Sequence, residues 1–143
     1  MKKLILGGAI VALLAGCQSQ SENSVNSEEL VYEGVLPAAD TPGIIYTLTL
    51  NEEIVDGDTI YTLEQTYIEG GENGRDTTFT DKGKQRRMTA VKNNQKKHFV
   101  KLESATGQPD TYFIVVDENT LRLSNDSLQE TDSELNYDIK RAN

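Results

Sequence analysis

Between residues 30 and 141, apolar side chains recur at every second position in short runs, a period that belongs to strands and not to helices. The clearest run is Ile44, Tyr46, Leu48 and Leu50, interleaved with Ile45, Thr47 and Thr49. Tyr61, Leu63 and Tyr67 repeat the pattern, with Thr62, Glu64 and Thr66 on the other face. Asp56-Gly57-Asp58 lies between the two runs and supplies the left-handed backbone of a tight hairpin, so these strands are expected to pair antiparallel. Gly70-Gly71-Glu72-Asn73-Gly74 marks the next reversal. Further runs at residues 30–36, 84–91, 97–103, 111–117, 120–124 and 135–141 bring the expected number of strands to about eight. No segment carries a convincing helical period, so no helix is available to cover an open sheet face. The pattern therefore predicts an all-β fold, a small antiparallel meander barrel, with an open sandwich as its rival.

The N-terminal pattern is of another kind. Lys2 and Lys3 precede an apolar run from Leu4 to Leu14, and Leu14-Ala15-Gly16-Cys17 follows. A basic start, a short hydrophobic stretch and small residues before a cut make a secretory signal over residues 1–16. The run falls well short of the ~20 residues that a spanning helix needs. A cysteine placed directly after Leu-Ala-Gly is the acceptor of a lipoprotein signal, so Cys17 is expected to carry diacylglycerol and a further acyl chain such as palmitate. Each buried CH₂ contributes about 0.8 kcal/mol, and several chains together make the attachment stable. Residue 18 is Gln, not the Asp that usually retains lipoproteins at the inner membrane, which favours the outer membrane. Residues 17–29 are then the lipidated cysteine and a polar tether, with too little apolar surface to offset the entropy of ordering. Residues 30–143 form the one domain the remaining length accommodates.

Charge narrows the partners. The chain holds 14 basic and 23 acidic residues, a net charge of −9, and loss of Lys2 and Lys3 with the signal makes it −11. Nonspecific nucleic-acid binding is disfavoured on that balance. Cys17 is the one cysteine, so no disulfide can form within the chain, and a monomer held together by core and strand pairing is expected.

The chemistry-bearing residues are few. His98 is the one histidine and Met88 the one methionine after the signal, a weak pair of metal ligands. His98 shares register with Val100 and Leu102, so it points inward or sits at a rim. The acid pairs at 52–53, 56 and 58, and 117–118 fall in or beside predicted turns, where carboxylates are expected for solubility alone. Residues 82–101 carry eight basic side chains and no acid, and within them Lys84, Arg86, Arg87, Lys96 and Lys97 form a candidate anionic-surface patch. A solvated hairpin that balances acidic neighbours is the plainer reading. No phosphate loop, nucleophile elbow or Cys-His arrangement is present, so an enzyme is not expected and no cofactor is implied beyond the lipid on Cys17.

One stretch, Tyr32-Glu33-Gly34-Val35-Leu36-Pro37-Ala38-Ala39-Asp40-Thr41-Pro42-Gly43-Ile44, resembles the opening of the NlpE family of envelope lipoproteins, associated with copper resistance and stress signalling. In that family the motif usually reads Gly-x-Leu-Pro-Cys-Ala-Asp-Cys-x-Gly-Ile. The likeness continues through the threonine-rich strand after Ile44, the Tyr-Thr-Leu at 61–63, Tyr67, and Leu135-Asn136-Tyr137. The resemblance implies a lipocalin-like barrel anchored at the outer membrane, whose perturbation reaches an inner-membrane stress sensor. It maps Gly34, Leu36, Pro37, Ala38, Asp40, Thr41 and Gly43 onto the motif, and it places Ala38 and Thr41 where the family has its cysteine pair. Copper or redox chemistry that depends on those thiols is not expected here. Two other classes stay open: a carrier with Tyr46, Leu48, Tyr61, Leu63, Tyr112 and Ile114 lining an apolar cavity, and an inhibitor module that docks an envelope enzyme.

Overall fold

A computed structural model describes residues 28–143. The signal, Cys17 and nearly all of the tether lie outside the described residues. Eight antiparallel strands follow one another around a closed barrel: β1 (Glu29–Leu36), β2 (Ile44–Val55), β3 (Asp58–Tyr67), β4 (Thr77–Lys92), β5 (Gln95–Ser104), β6 (Thr111–Asp117), β7 (Thr120–Ser124) and β8 (Asp138–Arg141). Among the described residues the helical content is one 3₁₀ turn, Glu72–Gly74. The all-β meander expected from the alternation is therefore the fold, and the open sandwich is excluded by the pairing of β1 with β8.

Alternation sets the inside. Tyr46, Leu48 and Leu50 of β2, Tyr61 and Leu63 of β3, Val100 and Leu102 of β5, Phe113 of β6, Leu121 of β7 and Ile139 of β8 pack into one core with Leu30, Tyr32 and Leu36 of β1. Leu48, Leu102, Phe113 and Ile139 are completely shielded, so the middle of the barrel is filled by its own side chains.

The turns explain the register. Val55 pairs with Asp58 across Asp56-Gly57, both at positive φ (52° and 87°), the two-residue hairpin the Asp-Gly signal anticipates. Lys92 pairs with Gln95 across Asn93-Asn94, also both at positive φ (49° and 59°), a second hairpin of the same kind.

Two strand limits differ from expectation for physical reasons. The run at 84–91 is the outer part of a 16-residue strand that starts at Thr77. The pattern breaks at Gly83, where the backbone of β5 comes so near that a Cβ would collide with the Glu103 carbonyl; only glycine passes there. At the C-terminus, pairing starts at Asp138 and not at Leu135, because residues 125–137 leave the sheet and fold over its outer surface.

That loop builds a second, smaller core outside the barrel. Phe99 and Ile114 point away from the interior and are buried under Leu128, with Ala90 and Tyr112 packed around them. Leu128 is shielded although it sits in an otherwise polar stretch, and its burial contributes roughly 1.5–3 kcal/mol. Arg122 holds the loop at its middle, through Glu130 (3.0 Å), and at its C-terminal end, through Asp138 (2.6 Å and 3.1 Å). Tyr112 and Ile114 therefore do not line an internal cavity as a carrier would need; the inward residue of β6 is Phe113.

Candidate functional site

The meander gives the barrel two unlike ends. Turns β2–β3, β4–β5 and β6–β7 share one end with Glu29, where the chain enters the sheet. The longer connections, residues 37–43, 68–76, 105–110 and 125–137, emerge at the other.

At the hairpin end, Arg87, Met88, Thr89, His98, Asp117 and Glu118 border an open depression of ≈ 290 Å³. His98 is exposed at this rim, and its Nδ1 lies 2.9 Å from the Thr89 hydroxyl. Met88 also borders the depression and is 45% exposed. Among the described residues no group of three or more His, Cys, Asp or Glu side chains converges as metal ligands would.

The basic stretch is largely neutralised by its neighbours. Lys84 pairs with Asp58 at 2.6 Å, Arg86 with Glu103 at 3.1 Å, Arg87 with Glu52 at 3.2 Å and Lys97 with Glu130 at 3.5 Å. Lys101 spans Glu103 and Asp110, both at 3.2 Å. These contacts hold the Asp58 and Glu103 carboxyls below their ordinary range, chiefly through the Lys84 and Arg86 hydrogen bonds, and push Lys101 up, chiefly through Asp110. Of the five predicted patch residues, Lys96 alone has no ion-pair partner among the described residues.

At the loop end, Gly34 faces the seam where β1 meets β8. A Cβ there would stand 2.7 Å from the Asp138 carbonyl oxygen and 3.0 Å from the Ile139 side chain. Leu36 is core, and Pro37 and Ala38 are half-buried as the chain turns out of the sheet. Asp40 is exposed, whereas Thr41 donates its hydroxyl to the Gly43 carbonyl at 3.0 Å. Gly43 is buried and accepts from the Ile68 amide at 3.1 Å, which locks the motif loop onto residues 68–76. The positions at which the family carries cysteines thus hold a methyl group and a hydroxyl already engaged with backbone.

Sequence reasoning did not single out Asp81, which sits under the loop end and is 8% exposed. It accepts hydrogen bonds from Tyr61 (2.6 Å), Ser104 (2.7 Å) and Thr106 (2.6 Å). Burial pushes its carboxyl up, but the Thr106, Tyr61 and Ser104 hydroxyls and the Lys82 amide outweigh that and leave it below the ordinary value. Burial, reinforced by Asp81, pushes the Tyr61 phenol up. The Ser104 hydroxyl also accepts from the Thr106 and Gln108 amides, so the same atom ties the 105–110 loop to the carboxylate. The signal available was an acid at an inward position of a strand, visible only once β4 is extended back through Gly83.

A model of the NlpE N-terminal domain matches residues 32–134, from β1 into the loop after β7. The chain belongs to the NlpE family. No curated protein and no solved structure matches it. The NlpE match takes in the motif loop and the Asp81 cluster but stops before β8, so the closing strand of the barrel lies outside the matched span. NlpE proteins are an envelope family, which agrees with an envelope location for this domain.

Proposed function

We propose that this domain is a non-enzymatic, outer-membrane lipoprotein module, anchored through a lipid on Cys17, which presents its loop end to a protein of the envelope such as a stress sensor. The observation that carries the proposal is the polarity of the barrel. The chain enters at Glu29 on the hairpin end, so an anchor upstream of it leaves the motif loop and the 125–137 loop on the opposite end, facing away from the attachment point. Family membership and the lipoprotein-type sequence at 14–17 support the same reading. The proposal does not draw on copper chemistry through a thiol pair in the motif loop, since Ala38 and Thr41 offer no soft donor there.

Two measurements test the proposal. Mass spectrometry of the processed chain should find acylated Cys17 at its N-terminus, and Cys17→Ser should release the protein from sedimented membranes; an unmodified Cys17 refutes the anchor. Overproduction should raise an envelope stress reporter, and shaving the motif loop by replacing residues 38–42 with Gly-Ser should lower that response while the barrel stays folded. A reporter indifferent to both refutes the signalling role and leaves the anchor to its own test.

A further inference from the structure

A carboxylate withdrawn from water is stable when a cation stands beside it, and Asp81 has none. Among the described residues its oxygens meet only hydroxyl donors and the Lys82 amide, and no Lys or Arg nitrogen lies within ion-pairing reach. Hydrogen bonds stabilise the charge without cancelling it.

Asp81 lines an open cleft of ≈ 520 Å³ at the loop end, floored by Leu63 and bordered by Tyr67, Phe79, Thr106 and Asp110. Tyr67 and Phe79 meet edge to face, with ring centroids 5.6 Å apart and planes at 89°. One ring of such a pair keeps a π-face free, and Phe79 is 58% exposed, unusual for a residue of that size on an inward register. The cleft is of the size that holds a small organic ligand.

We propose that this cleft binds a small organic cation, an ammonium group on an apolar or aromatic body, with the charge toward Asp81 and the body against Phe79 and Tyr67. The missing counter-charge, the free aromatic face and the apolar floor each supply one part of that recognition. The chain's net charge of −9 adds a long-range field of the right sign. The inference does not depend on the anchor or on signalling.

Phenethylammonium and its neutral counterpart 2-phenylethanol, titrated into the purified full-length chain and followed by amide chemical shifts, provide the test. The cation should shift Phe79, Asp81 and Thr106 and bind ~10-fold more tightly than the alcohol at low salt. Phe79→Ala, at an exposed site that leaves the core untouched, should weaken the cation several-fold, and Asp81→Asn should abolish the preference over the alcohol. Equal affinities for the two probes in the wild-type protein, or shifts confined to other surfaces, would overturn the proposal without reference to either variant.

Discussion

At the scale of single residues, three hydroxyls around one buried carboxylate give Asp81 a share in how this barrel responds to acid. The folded state holds Asp81 below its ordinary value, so its contribution to stability is fully present above the unfolded pKa of about 3.9 and is lost as pH falls through the lower folded value. Urea unfolding at pH 7 and at pH 3 should show a marked loss at the lower pH. Ser104→Ala with Thr106→Val removes two of the donors and should reduce that difference. Tyr61→Phe strips the hydroxyl donor from the other carboxylate oxygen and should cost roughly 1–3 kcal/mol at neutral pH. A second residue-scale prediction concerns Gly34: Gly34→Ala forces a methyl against the Asp138 carbonyl at the barrel seam and should destabilise by about 1–3 kcal/mol in the same assay. The glycine of the motif thus has a packing cause in the adjacent strand, independent of any ligand.

At the scale of elements, the sequence pattern was most legible where a strand has one wet and one dry face. β2 and β3 alternate cleanly, and their Asp-Gly turn follows from backbone preference alone. β4 was only half legible because its pattern is interrupted by Gly83, a residue demanded by the approach of β5 and not by any local rule. The Asn93-Asn94 hairpin carried a readable signal, since asparagine tolerates positive φ. Asn94→Gly should therefore stabilise the domain by a few tenths of a kcal/mol, and Asn94→Val should destabilise it by about 1–2 kcal/mol, measured by thermal unfolding. The outer core was not legible at all. Phe99 fell within an expected strand, Ile114 was expected to line an interior cavity in the carrier reading, and nothing in the pattern marked Leu128, because the contact that unites them spans distant parts of the chain. Leu128→Ala should free residues 125–137 for proteolysis and cost roughly 2–5 kcal/mol, with a larger effect on that loop than on exchange protection of β2 and β3.

At the scale of the whole molecule, closure depends on the shortest strand. β8 joins β1 through two facing pairs, Tyr32 with Arg141 and Glu33 with Lys140, and joins β7 through three. The seam is reinforced by the Ala142 amide on the Val31 carbonyl at 2.7 Å, by Asn143 bonding the Glu29 carbonyl at 2.7 Å, and by Arg141 with Glu28 at 3.2 Å. Strand count and the lack of a helix to cover an open face suggested a closed barrel, but nothing local could reveal which strand completes it, since Tyr32 and Arg141 lie at opposite ends of the domain. Deleting residues 138–143 should expose the edges of β1 and β7, uncover the core around the lost Ile139 side chain and abolish cooperative unfolding. Deleting only 142–143 keeps all four β8 residues and removes three hydrogen bonds to the β1 backbone, which should lower stability by about 1–3 kcal/mol while leaving the transition cooperative. Circular dichroism with urea separates the two truncations. A cooperative transition in the shorter chain would mean that seven strands suffice and that β8 only caps a structure already closed around its core.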